Sequence, residues 1–315
     1  MYSIRTEHIS GTQKLKLVNE QSGEYLSVVP VFGGNLNELV LQKNGKLHSV
    51  LDGDTALETL SVKNSNHYQG AKLSPFPNRI NKGRYQFNGI EYQLTINSPP
   101  HAMHGLCWNM PFTIKSEHIT TDQAKLTLEA DYRSINPGFP FPYHIEIEYI
   151  LEPNRITCTT RVTNTGKRSM PLGDGWHPYF TTGAKINNIK LQLPKSKQLE
   201  LSETLIPTGK YVAEDMFTNP TLLNDIKLDY CFELECKEGI AEIRLIDEQQ
   251  NMCIVIWQQT GKHGYNFIQA YTPPHRNSLA IEPMSCAPDA FNNKNGLIIP
   301  HPEESVEFCF GVRLE

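Results

Sequence analysis

Between Tyr143 and Leu151 the chain alternates strictly, with Tyr143, Ile145, Ile147, Tyr149 and Leu151 at one parity and His144, Glu146 and Glu148 at the other. A period of two puts the first set on one face of a β-strand and the second on the opposite face. The same rhythm returns at Val306, Phe308, Phe310, Val312 and Leu314. Both runs predict half-buried strands. Turn signals punctuate such runs. Asn88-Gly89 inside YQFNGIEYQL predicts a two-residue hairpin, and Asn164-Thr165-Gly166 closes the strand-like stretch ITCTTRVT.

Helical periodicity is scarce, because 21 Gly and 21 Pro interrupt the chain and few windows carry an i, i+3, i+4, i+7 apolar stripe. Short strands and turns fill the 315 residues without an internal repeat or a Ser/Gly linker. This pattern predicts an all-β chain, a large antiparallel β sandwich forming one domain over residues 1–315, rather than a propeller or two tethered domains. A core of that size is within reach of one large sandwich.

Charge narrows the partners. The 29 basic and 34 acidic residues give a net charge of −5 and are interspersed, with no Lys/Arg block of the kind that tracks a phosphate backbone, so no nucleic-acid partner is expected. MYSIRTEHIS has no basic segment followed by an apolar one, and no apolar run reaches about 18 residues. These features predict a soluble cytoplasmic protein with no membrane partner. Seven cysteines, an odd number without a C-x-x-C pair, predict reduced thiols in apolar strands.

The candidate chemistry lies in three islands: SPFPNRINKGRYQFNGIEYQLTINSPPHAMHG from Ser74 to Gly105, DGWHPYF from Asp174 to Phe180, and IEPMSCAPDAFN from Ile281 to Asn292. Glu282, between Ile281 and Pro283 on an apolar strand, is placed to lose hydration and to have its pKa raised, the setting of a general base. A strand-end Glu paired with an Arg is the structural alternative. His177, between Trp176 and Pro178, is a fixed imidazole able to donate a proton; a packed, hydrogen-bonded His is its alternative.

His104 precedes a Gly that permits a tight turn or a close approach to a ligand, and so supplies a second imidazole. With His101 it forms H-x-x-H, but no Cys or acidic ligand follows at a metal-site spacing, so no metal is expected and His101 reads as a loop or supporting residue. Arg79, on a loop stiffened by two prolines, suits bidentate bonding to hydroxyls or a carboxylate, or a purely structural clamp. Asp229 in KLDYCF opens a strand and suits two adjacent sugar hydroxyls, or simply a strand end. Trp108, Trp176, Tyr179 and Phe76 offer aromatic faces for stacking on a ligand, with core packing as the alternative for each.

Taken together these motifs resemble the aldose 1-epimerase (galactose mutarotase) family. The resemblance runs from about Leu26 to Leu314 and is sharpest at Asn78-Arg79, His104-Gly105, Trp176 to Phe180, Leu228 to Phe232 and Glu282 to Asn292. It implies a large β supersandwich that interconverts the α and β anomers of a free aldose without a cofactor, as a monomer or homodimer whose partner is a small-molecule sugar. By that resemblance Glu282 is the base and His177 the acid, while Arg79, His104, Asp229, Asn78 and Trp176 bind and orient the substrate. Two departures flank the implied sugar site. Trp176-His177-Pro178-Tyr179-Phe180 stands where the best-known members have an Asn-His pair and a Tyr-Phe-Asn-Leu type run, and Leu106 stands where they have a second Gly. They mark a divergent branch and leave the preferred sugar open.

Three other readings compete. A hexose 6-phosphate mutarotase would draw on Lys72, Lys82 and Arg84. A non-catalytic carbohydrate-binding module would use the same fold, and a glycoside hydrolase or lyase would use Asp229 and Glu282 as its carboxylate pair.

Overall fold

The computed structural model describes residues 1–9, 11–53, 67–212 and 215–315. Among them the predicted strands appear and every strand pairing is antiparallel. The first five strands, Tyr2–Ile9, Thr12–Asn19, Tyr25–Val29, Asn35–Lys43 and Lys46–Ser49, form a meander in chain order. A nine-stranded sheet runs in the order Thr113–Ile119, Ala124–Tyr132, Tyr143–Glu152, Arg155–Asn164, Ser305–Leu314, Met252–Thr260, Gly239–Asp247, Lys190–Gln192 and Thr221–Leu222. The last long strand thus inserts into the middle of this sheet. An eight-stranded sheet carries Asp229–Leu234, Phe267–Tyr271, Leu279–Met284, Gly175–Trp176 and Lys72–Leu73 as successive neighbours.

The period-two pattern translates directly into burial. Tyr143, Ile145, Ile147, Tyr149 and Leu151 are wholly buried, while His144, Glu146 and Glu148 are only partly so. The inward residues meet the eight-stranded sheet through aromatic contacts: Trp176 packs against Tyr149 and Phe310, and Tyr265 stacks on Phe308. One hydrophobic cluster extends from Tyr2 to Leu314, so these three sheets share it with the two-stranded pairs Arg79–Ile80/Ala102–Met103 and Arg84–Phe87/Ile90–Gln93. Burying side chains of this size is the main favourable term in folding.

The turn signals also hold. Asn88 and Gly89 both have positive φ, 50° and 78°, and join Phe87 to Ile90 as a two-residue hairpin turn. Asn164 ends its strand and turns the chain by accepting the Gly166 N–H at 2.9 Å. The short helix Ala290–Asn293 forms within the third motif island, after Asp289.

Candidate active site

The eight-stranded sheet brings the three islands to one cleft. Its described lining comprises His67, Tyr68, Asn78, Arg79, Met103, His104, His177, Tyr179, Asp229, Gln269, Tyr271 and Glu282. The cleft encloses about 230 Å³, below the range of about 300–1,000 Å³ usual for drug-sized ligands. A larger groove of about 580 Å³ lies alongside, lined by Phe76, Leu106, Trp108, Met110 and Ile135 among others. It has no carboxylate, imidazole or basic side chain among its lining residues, whereas the smaller cleft has all three.

Glu282 and His177 reach the cleft from paired parts of one sheet. Strand Leu279–Met284 is buried along its whole length and places Glu282 opposite Gln269 on Phe267–Tyr271. Gly175 pairs with Met284 on its other side, which carries the chain toward His177. The result is a close contact: His177 Nε2 lies 3.3 Å from Glu282 Oε1, with both side chains almost fully buried. Burial disfavours charge on each group. It raises the Glu282 carboxyl well above its ordinary value, helped by the negative field of Asp229, and lowers the His177 imidazole to about 3. Tyr179 lies flat against the imidazole, with centroids 4.9 Å apart and planes 2° apart, and its hydroxyl donates to the His67 carbonyl.

The other imidazole and the guanidinium come from a shared backbone device. Strand Ala102–Met103 pairs with Arg79–Ile80, and the His104 N–H donates to the Asn78 carbonyl at 2.8 Å. Asn78 and His104 both occupy the left-handed region, with φ of 54° and 61°, as does Tyr68 at 53°. Left-handed backbone is uncommon for such residues, and its concentration on one cleft follows the tendency of strain to gather at functional sites. Gly105 continues the turn at φ 70°, where a Cβ would stand 2.4 Å from the Ser74 carbonyl oxygen. His104 stands edge to face with His177, 5.2 Å between centroids, and burial lowers its pKa well below the usual imidazole value.

A relay of amides joins Arg79 to Asp229. Arg79 Nη1 donates to Asn78 Oδ1 at 3.1 Å, Asn78 Nδ2 to Gln269 Oε1 at 3.2 Å, and Gln269 Nε2 to Asp229 Oδ1 at 2.7 Å. The third island closes the loop from behind. Asp289 N–H donates to the Arg79 carbonyl, and Asp289 Oδ1 accepts the Asn81 N–H at 2.9 Å. Burial raises the Asp229 carboxyl, against the opposing pull of Arg79.

Six of the seven expected site residues therefore converge: Glu282, His177, Arg79, His104, Asp229 and Asn78. Trp176 does not join them. Alternation sends its ring to the opposite side from His177, where it is 1% exposed, lies beneath Lys72 Nζ and packs on Tyr149 and Phe310. Phe76 and Trp108 face the apolar groove instead, and of the aromatic residues considered only Tyr179 lines the cleft. His101 is structural: its Nδ1 accepts the Lys82 N–H and its Nε2 bonds the Thr204 carbonyl at 3.0 Å. Gln269 escapes a sequence reading. Its one signal is an amide flanked by Ile268 and Ala270 in an otherwise apolar strand, which burial would penalise without partners.

Among the described residues no group of three His, Cys, Asp or Glu is arranged to hold a metal ion, and all seven cysteines are free. No helix among them is long and apolar enough to cross a membrane.

Comparison with known proteins places the family and the fold. The aldose 1-epimerase family model matches residues 16–312. YihR of Escherichia coli K12 is 27% identical over 94% of this chain and 91% of its own length, and YphB of the same organism is 33% identical over 77% and 82%. Mouse galactose mutarotase is 28% identical over 54% of this chain and 49% of its own. In fold, a galactose mutarotase-like protein from Clostridium acetobutylicum superposes with a TM-score of 0.86 at 22% identity, covering 100% of this chain and 98% of that one. Galactose 1-epimerase from Lactobacillus acidophilus gives 0.82 at 14% identity, with coverage of 100% and 98%.

Proposed function

Because the chain belongs to the aldose 1-epimerase family, we propose that it interconverts the α and β anomers of a free aldose by acid/base ring opening and closure. The observation that carries this reading is the buried contact of 3.3 Å between His177 Nε2 and Glu282 Oε1 inside a small polar cleft. Burial favours the uncharged form of each group, with the proton on the Glu282 carboxyl and His177 neutral, and passing that proton across the 3.3 Å contact gives the carboxylate and imidazolium that react. One proton shared by two groups is what mutarotation requires.

In that carboxylate and imidazolium form Glu282 takes the proton from the anomeric O1 hydroxyl while His177 delivers its own to the ring oxygen O5. The C1–O5 bond breaks and the open-chain aldehyde forms at C1. After rotation about C1–C2 the O5 hydroxyl adds to the other carbonyl face, and the two groups exchange roles. The site ends the cycle with the proton it started with. Arg79, His104, Asp229 and Asn78 hold the hydroxyls so that the open chain stays in place while C1 turns.

Buried polar atoms support a hydroxyl-rich ligand. Glu282 Oε2, His177 Nδ1 and His104 Nδ1 are buried without a hydrogen-bond partner among the described residues. Such atoms are rare in a folded interior, and a sugar with donors and acceptors around its ring satisfies them. A phosphorylated sugar is less well served. Arg79 is the one Lys or Arg among the described lining residues, where it shares the cleft with Asp229 and Glu282. Lys72 is wholly buried on Asp174, Arg84 Nε donates to Gln93 on the exposed hairpin, and Lys82 is not among the lining residues.

Polarimetry on freshly dissolved α-anomers of glucose, galactose, xylose and arabinose tests the proposal, with wild type and Glu282→Gln side by side. Accelerated decay of optical rotation by the wild type alone is the expected result. No acceleration of any free sugar, with acceleration of a hexose 6-phosphate, would transfer the activity to phosphorylated substrates. Binding without turnover of either would leave a carbohydrate-binding module.

A further inference from the structure

Directly beneath the cleft floor lies an ion pair with no contact to solvent. Lys72 Nζ donates to Asp174 Oδ1, and both side chains are 0% exposed. Lys72 also donates to the Gly175 carbonyl at 3.3 Å and sits 4.7 Å from the centre of a Trp176 ring. The Tyr265 hydroxyl donates to the same Asp174 oxygen at 2.7 Å. A buried ion pair gives little net stability, because the desolvation of two charges offsets their attraction, and apolar replacements of similar volume often match it. Its position suggests another use.

Three chain segments cross at this pair, and two of them carry the acid and the base of the proposed reaction. Asp174 is three residues before His177. Its N–H donates to Ser285 Oγ at 2.9 Å and its carbonyl accepts the Ser285 N–H at 2.8 Å, three residues after Glu282. The Lys72 segment completes the frame. Lys72 pairs with Trp176, the Ala71 carbonyl accepts the His177 N–H at 3.0 Å, and the Gly70 N–H donates to the His177 carbonyl at 2.9 Å. Each end of the ion pair is thus attached to backbone that positions His177, and the Asp174 end is also bound to the end of the Glu282 strand. Sheet pairing alone is sparse here, since Gly175–Trp176 and Lys72–Leu73 are two residues long.

We propose that Lys72 and Asp174, with Tyr265, are positioning residues that hold His177 and Glu282 at proton-transfer distance. The inference rests on the acid/base reading of that pair. Ions anchored on both strands resist sliding and rotation in a way that an apolar contact, being non-directional, does not.

The test separates alignment from stability. Lys72→Met and Asp174→Asn each strand a buried charge and are expected to lower Tm. The double variant Lys72→Met/Asp174→Asn removes both charges and is expected to recover most of the lost Tm while kcat stays at least about tenfold below wild type, with KM within about twofold. A double variant whose kcat returns with its Tm would overturn the proposal, because the pair would then be structural only.

Tyr265→Phe covers the case in which the charge variants do not fold. It keeps the ring packing and both charges and deletes the hydroxyl's hydrogen bonds to Asp174 and from Lys72. Its kcat is expected to fall severalfold at nearly unchanged Tm, and the His177 imidazole resonances are expected to shift and broaden in NMR spectra. Wild-type kcat and an unchanged imidazole spectrum would refute the positioning role. If the wild type turns over no sugar, the functional reading fails by itself, and the imidazole spectrum still decides whether Tyr265 and the ion pair position His177.

Discussion

Nε2 of His177 and Oε1 of Glu282 lie 3.3 Å apart in a site where neither group is exposed to water. The contact joins a side chain from the link between strands Gly175–Trp176 and Tyr179–Phe180 to one from the middle of an apolar strand. Replacing the carboxylate with its amide keeps the size and removes the base. Glu282→Gln is therefore expected to retain sugar binding in calorimetric titrations while kcat falls about 10²-fold or more. Turnover at the wild-type rate would take Glu282 out of the mechanism.

The same burial predicts how stability responds to acid. His177 ionises near 6.5 in the unfolded chain and at about 3 in the folded one. Between those values the unfolded chain binds a proton that the folded chain refuses, so stability falls as pH drops from 6.5 toward 3, by about 1.4 kcal/mol per pH unit for one such group. His104, also lowered, acts in the same direction. Glu282 acts in the opposite sense: its raised pKa contributes stability below its unfolded value near 4.5, which is lost as pH rises through the folded value. Urea unfolding of wild type and His177→Asn across pH 4 to 7 is expected to show a shallower slope in the variant. Parallel slopes would mean that His177 is not held neutral.

Gln269 is the centre of the amide relay and bonds both Asn78 and Asp229. Gln269→Ala leaves a buried donor on Asn78 and the partly buried Asp229 carboxylate short of a partner, at a cost of about 1–3 kcal/mol in chemical denaturation. Asp229 then loses its fixed orientation, and KM is expected to rise about tenfold, more than kcat falls. A variant with unchanged KM would confine Gln269 to a structural role.

Gly105 is the residue on which the His104 turn depends. At φ 70°, with a Cβ predicted to stand 2.4 Å from the Ser74 carbonyl oxygen, Gly105→Ala meets both backbone strain and a steric clash. The expected loss is at least about 1–3 kcal/mol of stability, with a rise in KM as His104 is displaced. Wild-type values of both in thermal unfolding and polarimetry would show that the turn can relax at no cost.

Local pattern was enough for much of this protein. The alternation from Tyr143 to Leu151 and from Val306 to Leu314 specified strands and the faces they bury, since a strand's side chains take opposite sides whatever its partner. Asn88-Gly89 specified a hairpin because few other residue pairs adopt its backbone angles. The types of the site residues also suggested acid/base chemistry on a polar neutral substrate, and the resemblance to aldose 1-epimerases made that substrate a sugar.

Tertiary structure decided which of those residues meet. No local rule places Ser305–Leu314 between Arg155–Asn164 and Met252–Thr260, or Glu282 opposite Gln269, because strand pairing depends on how a whole sheet closes its core. The same limit explains Trp176 and Lys72. Trp176 adjoins His177 and Lys72 precedes the Asn78-Arg79 segment, yet strand parity and the shared core turned the indole inward and gave the lysine a buried carboxylate instead of a ligand. Sequence determined the strands and the available chemistry; the sheet register determined the distances, and proton transfer depends on distances.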